Sequence, residues 1–157
     1  MDGVELQNII QQDPYMSRLV HGILNFGQVA KIDTRRCFGT RAYIIYVSNH
    51  WLLLMFQPTG QIVYIDPLGK KPSAYSKILS DWLKASKHHV KSIPFQIQPN
   101  DSELCGLYIL YFLFFLSRGV QFEKIVRKFH RKNMLLNDEM VSKFAVKKFN
   151  FKIKENL

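Results

Sequence analysis

The chain has 157 residues, 47% of them apolar, which is enough for one well-formed core with no second domain needed. The formal net charge is +10, and from Arg118 onward 11 lysines and arginines stand against 4 acidic residues, so this C-terminal part is the surface expected to attract polyanions. Two cysteines, Cys37 and Cys105, exclude a disulfide framework and a cysteine-based zinc site, and the histidines form no His-x3-His pair, so no metal is expected.

In chain order, Leu6, Ile9 and Ile10 lie at helical spacing and predict a short amphipathic helix that stops before Asp13-Pro14. The stretch from Val4 to Gln12 mixes Glu, Gln and Asn with its apolar residues, so it is no secretory core, and the protein is expected to stay inside a cell. From Tyr15 to Thr40 there is no clean period, and Gly22, Gly27 and Gly39 interrupt the run, which reads as mostly irregular.

Ala42 to Ser48 is rich in β-branched and aromatic residues, and Trp51 to Phe56 is continuously apolar. After a turn at Gln57-Pro-Thr-Gly60 comes a third strand, Gln61 to Ile65, so the three form a meander. Ser73 then caps a predicted helix whose core stripe is Tyr75, Ile78, Leu79, Trp82 and Leu83. A further strand is expected over Ser92 to Gln98.

Gly106 to Leu116 is apolar on every side. Being far shorter than the ~20 residues a bilayer requires, it reads as a central helix buried all round. Two amphipathic helices follow, one carrying Phe122, Ile125, Val126 and Phe129, the other capped by Asn137 and burying Met140, Val141, Phe144 and Ala145. Arg127, Lys128, Arg131, Lys132, Lys147 and Lys148 in this part are the candidate nucleic-acid contacts.

Cys105 stands where the polar loop Pro99-Asn-Asp-Ser-Glu103 meets the buried helix. A thiol there points at unpaired helix N–H groups, whose partial positive charge favours thiolate, the form that attacks carbonyls. Cys37 has no such setting and reads as a space-filling cysteine. A hairpin turn centred near Pro58 and Thr59 pairs residues whose numbers sum to about 117, which places Asp66 across from Trp51 and beside His50. A carboxylate next to that imidazole would fix its tautomer and stabilise its protonated form.

The run Gln98-Pro-Asn-Asp-Ser-Glu-Leu-Cys105-Gly106, the pair His50-Trp51 and Asp66-Pro-Leu-Gly69 together resemble the adenovirus protease (adenain) family. That family includes the enzymes of virophages and Polinton or Maverick elements and shares its clan with the SUMO-specific proteases. The resemblance covers about Tyr43 to Leu116. It implies an α+β, papain-like fold in which a central mixed sheet faces a buried helix carrying the nucleophile.

It further implies a catalytic set of His50, Asp66 and Cys105, an oxyanion hole made by the Cys105 backbone N–H and the Gln98 side-chain amide, and a substrate pocket bordered by Trp51 and Gly106. Two departures stand out. The third member is Asp, as in the SUMO proteases, where adenoviral enzymes carry Glu. In adenoviral enzymes an activating viral peptide is disulfide-linked to a cysteine where this chain has Lys87 or its neighbours, so covalent attachment is not expected here unless Cys37 serves.

The expected function is therefore a viral or virus-derived endopeptidase. It would be found in the virion and infected cell as a monomer without a membrane partner, cleaving structural precursors at Gly-containing sites during particle maturation. DNA, an activating viral peptide, or both are the cofactors the resemblance suggests. An isopeptidase removing a SUMO-like or ubiquitin-like modifier would use the same residues. A non-enzymatic DNA-binding protein on an old protease fold is the reading from another class.

Overall fold

The computed structural model describes residues 1–34 and 39–152. Cys37 lies outside the described residues, and so does any role it plays. The described chain forms helices α1 (Gly3–Gln12) and α2 (Pro14–Leu19), strands β1 (Val20–Asn25), β2 (Arg41–Val47), β3 (His50–Phe56) and β4 (Ile62–Ile65), helix α3 (Lys77–Ala85), strand β5 (Val90–Ser92), and helices α4 (Cys105–Leu116), α5 (Phe122–Val126) and α6 (Met134–Phe149). The sheet runs β1-β2-β3-β4-β5. The expected meander is its centre, β2 and β4 each antiparallel to β3, while β1 and β5 add parallel at the edges and make the sheet mixed.

Every residue of β3 is buried, so it reads as a continuous apolar run rather than an alternation. One face of the sheet, with Leu53, Met55, Val63 and Ile65, packs on α4 and on Leu6 and Ile10 of α1. The other face, with Leu52, Leu54, Phe56 and Ile62, is covered by Leu79 and Leu83 of α3 and by Val29 and Ile32 around a 3-10 turn at Phe26–Lys31. Nine consecutive residues from Cys105 to Leu113 are buried, which accounts for the absence of a polar stripe on α4. No helix among the described residues is long and apolar enough to cross a membrane.

The segment from Tyr15 to Thr40, expected to be irregular, contains α2 and β1. Asp13 Oδ1 accepts hydrogen bonds from the N–H groups of Tyr15 and Met16 at 2.9 and 3.0 Å, with Pro14 at the first helical position. Asp-Pro is thus a helix start as well as a stop. β1 has weak local pattern and is held by pairing with β2, a contact across about twenty residues of sequence.

The strand expected over Ser92 to Gln98 is instead β5, Val90–Ser92. Its partner β4 ends at Ile65, and beyond Tyr64↔Ser92 no ladder remains to join. Pro94 has no N–H to offer, and the N–H groups of Ile97 and Gln98 bond to the Pro67 carbonyl.

Ser76, not Ser73, caps α3, its hydroxyl accepting from Leu79 N–H at 3.2 Å. Ile78 falls off the core face and is 57% exposed, and Tyr75 precedes the helix altogether. Asn137 is no cap either. α6 begins three residues before it, and Asn137 is fully buried inside the helix.

Candidate active site

His50 opens β3 directly after the two-residue turn Ser48-Asn49, whose φ angles of 50° and 57° are left-handed as a type I′ hairpin requires. Such a turn makes Val47 and His50 a hydrogen-bonded pair, so the next pair, Tyr46 and Trp51, is not one. The Trp51 N–H therefore points away from β2. β4 does not pair with β3 until Leu53↔Ile65, which leaves that N–H free for a side chain.

Asp66 follows the last residue of β4 and is 2% exposed. The β3–β4 register is one step off the expected one, with Leu53 opposite Ile65, yet His50 Nε2 and Asp66 Oδ1 meet at 2.6 Å. Four donors converge on this carboxylate. His50 and the Leu68 N–H reach Oδ1, the latter at 3.0 Å, while the Lys70 N–H at 3.0 Å and the Tyr75 hydroxyl at 2.5 Å reach Oδ2.

The turn Asp66-Pro-Leu-Gly69 needs its glycine. Gly69 has φ +69°, and a Cβ there would lie 3.0 Å from the backbone nitrogen of Gln96, so the turn packs directly on the segment leading to Gln98.

Cys105 is the first residue of α4 and is 8% exposed. Burial pushes its thiol up, but the hydrogen bond with His50, the backbone N–H groups of Trp51 and Gly106 and the imidazolium charge outweigh burial and bring it below its ordinary value of 9.0. Burial likewise opposes protonation of His50, and its bonds to Asp66 and Cys105 with their negative charges outweigh it, raising the imidazole from 6.5 to about 9. With Nε2 on Asp66, the other ring nitrogen is the one left for Cys105. The Tyr75 ring stacks on the imidazole at 5.4 Å and 21°.

Gln98 is 1% exposed. Its Nε2 donates to the Ser102 carbonyl at 2.8 Å, and because a carbonyl only accepts, this contact sets the orientation of the amide. Its Oε1 is buried without a hydrogen-bond partner among the described residues. Gln98 and Cys105 thus flank one short loop, with the amide N–H side turned to the stretch that leads into Cys105.

α6 braces that loop. Asn137 Nδ2 donates to the carbonyls of Ile97 and His130, each at 2.8 Å, and its Oδ1 accepts from the His130 N–H at 2.8 Å. Asp138 accepts from Ser102 Oγ and from the Tyr108 hydroxyl.

Trp51 is 6% exposed, its ring against Tyr46 and its Nε1 donating to the Met1 carbonyl at 3.2 Å. Gly106 faces the Met1 side chain. The six candidate nucleic-acid contacts, Arg127, Lys128, Arg131, Lys132, Lys147 and Lys148, are all exposed. Arg127 and Arg131 line a cavity of about 500 Å3 beside Lys91 and Phe95, whereas Lys128 and Lys148 lie over the rings of Phe115 and Phe114.

Sequence reading missed Tyr75 as a partner of Asp66, having placed it in a helical stripe, and missed Met1, Asn137 and Asp138 as neighbours of the loop and cleft. Only Tyr75 carried a local hint, an aromatic residue just before a cap, and that hint does not name its partner.

The α+β body, a mixed sheet facing a buried helix, has the papain-like architecture that was expected, and comparison with solved structures shows this fold. The fold is shared with the ASFV pS273R protease, at TM-score 0.62 and 14% identity over 98% of this chain and 67% of that one. A second structure of that protease, with selenomethionine, gives 0.51 and 17% over 76% of this chain and 46% of that one, so the chain spans between about half and two thirds of the viral enzyme as seen in the two. The central domain of the uncharacterized Lpg1148 protein from Legionella pneumophila matches at 0.50 and 12%, over 83% of this chain and 86% of that one. No protein-family model and no curated protein matches the sequence.

Proposed function

We propose that the chain is a cysteine endopeptidase with Cys105 as nucleophile, His50 as its base and acid, and Asp66 holding the imidazole. The observation that carries this is the buried line from Asp66 Oδ1 through His50, 2.6 Å away, to Cys105 at the start of α4. The thiolate attacks the scissile carbonyl, forming the carbon–sulfur bond. The resulting oxyanion is held by the Cys105 N–H and the Gln98 amide, donors aimed at charge that develops only then. The His50 imidazolium gives its proton to the departing amine, then takes one from the water that releases the acyl group and restores the thiol pair.

The natural substrates in this reading are structural precursors of a virus or virus-derived element, cut at Gly-containing sites. The likeness to a viral protease fold supports it. DNA, bound through Arg127, Lys128, Arg131 and Lys132 between α5 and α6 and through Lys147 and Lys148 of α6, is the proposed cofactor, and a viral peptide a second one.

The test is processing of Gly-containing precursor peptides by the full chain and by Cys105→Ala. Cleavage that persists in the variant would sink the proposal. Rapid labelling by a SUMO-like modifier with a C-terminal electrophile, together with failure to cut the peptides, would transfer the site to isopeptidase chemistry.

A further inference from the structure

A piece of the chain's own backbone lies between Trp51 and Gly106, the residues that follow His50 and Cys105 in sequence. The Met1 carbonyl takes the hydrogen bond of Trp51 Nε1 at 3.2 Å. The Met1 side chain rests on Gly106, where a Cβ would meet its Sδ at 3.1 Å. Gly3 crosses the same indole, a Cβ there standing 3.6 Å from Trp51 Cη2. Met1 also borders an open groove of about 640 Å3 formed with Ile23, Asn25, Tyr46 and Trp51. The residue that follows the nucleophile and the residue that follows the base are therefore bridged by Met1.

An extended peptide that presents a carbonyl to Cys105 needs this space. Its backbone would seek the indole N–H as a donor, and a glycine beside the nucleophile gives a main chain room to approach closely. Both features are engaged by the chain itself. We infer that the segment Met1–Gly3 is an internal competitor of the substrate backbone, a strap that must leave the Trp51–Gly106 cleft before a peptide reaches Cys105. This inference rests on the peptidase reading.

The strap is held lightly and is hinged at a defined place. Its contacts in the cleft are one neutral hydrogen bond and the flexible Met1 side chain, which packs on Gly106 and the edge of the core but stays only half buried. Next in sequence comes a capping box, in which Asp2 accepts from the Glu5 N–H at 2.8 Å and Glu5 accepts from the Asp2 N–H at 3.2 Å, both exposed to solvent. Leu6 and Ile10 then fix α1 in the core, at 0% and 4% exposure. Opening the capping box frees the strap while α1 stays docked, a local event at the low-stability end of the fold.

The experiment compares the full chain with a chain that starts at Gly3, released from a cleavable fusion. Cys105 is labelled with iodoacetamide, which reports the thiolate, and with a peptidyl chloromethyl ketone ending in Gly, which must enter the cleft. The two chains should react alike with iodoacetamide, and the shortened chain about five- to tenfold faster with the peptidyl reagent, the gain from losing one weak competitor.

An equal or slower peptidyl reaction, with iodoacetamide unchanged, overturns the strap and leaves the peptidase reading intact. If Cys105 of neither chain outpaces free cysteine with iodoacetamide at pH 7, both fall. Should the shortened chain lose its fold, Asp2→Ala in the full-length chain decides, since it opens the capping box alone. A rise in peptidyl labelling of about two- to threefold supports the strap, and no rise overturns it.

Discussion

Asp66→Asn probes the centre of the site with almost no change of volume. All four neighbours of this carboxylate donate, and an amide presents one acceptor and one donor in their place. Whichever way the amide turns, its NH2 confronts a backbone N–H, that of Leu68 or that of Lys70, which cannot reverse. One buried donor is orphaned, at about 1–3 kcal/mol of stability.

The imidazolium also loses its main partner. The rise of His50 from 6.5 to about 9 corresponds to roughly 3 kcal/mol that Asp66 and Cys105 supply in excess of burial. Without Asp66, burial regains ground and the imidazole falls back toward its ordinary range. A raised imidazole contributes stability in full below 6.5 that is lost as pH climbs through about 9. The lowered thiol contributes stability above its ordinary 9.0 that is lost as pH falls through its depressed value. The ion pair therefore occupies the window between the lowered thiol and about 9, and the variant should narrow it from the alkaline side.

Peptide turnover should drop by about 10²–10⁴, as for other triads deprived of the carboxylate. Peptide turnover followed across pH, where the alkaline limb reports loss of the His50 proton, with thermal unfolding of the same samples, reads both effects. An alkaline limb that stays near 9 with a rate within about threefold of the parent would refute the assignment of Asp66 as the orienting group.

Gln98→Ala should reduce kcat by about 10²–10³ while alkylation by iodoacetamide stays within about twofold, because the oxyanion forms only on a carbonyl substrate. Equal losses in both assays would mean that Gln98 acts on the thiol instead. Tyr75→Phe keeps the ring against His50 but withdraws a hydroxyl from Asp66 Oδ2, so kcat should fall by about three- to tenfold with KM unchanged. A change in KM alone would contradict that role.

Asn137→Ala strips partners from the Ile97 carbonyl and from both backbone groups of His130. It should destabilise the protein by about 2–4 kcal/mol in urea unfolding, and a loss under 0.5 kcal/mol would show that the loop before Gln98 does not depend on α6. For DNA, phosphate contacts by all six candidate residues would give a slope of log affinity against log salt of about −5, whereas salt-independent binding would remove nucleic acid from the proposal.

The candidate site was legible where chemistry and local pattern coincide. A polar loop running into an all-apolar stretch announced Cys105 at a helix N-terminus, and two strands joined by a Pro-containing turn brought His50 and Asp66 to the same end of a hairpin. The one-residue error in register left that pairing intact because a histidine and a carboxylate at strand ends reach across such an offset. Trp51 was visible as a neighbour of the base, but the use of its backbone N–H depends on the two-residue turn at Ser48-Asn49, which the sequence reading did not detect.

What the sequence by itself determined were the features whose physics is local: helical and strand periods, the apolar run of α4, and the residue types able to do thiol chemistry. The tertiary structure alone decided what depends on elements distant in the chain. It pairs β1 with β2, ends β5 where β4 has no more ladder to give, and brings Tyr75 to Asp66. It also sets Asn137 of α6 under the loop before Gln98 and lays Met1 across Trp51 and Gly106. These contacts join groups nine to a hundred residues apart, and their geometry follows from how the layers pack rather than from any property of the segments that meet.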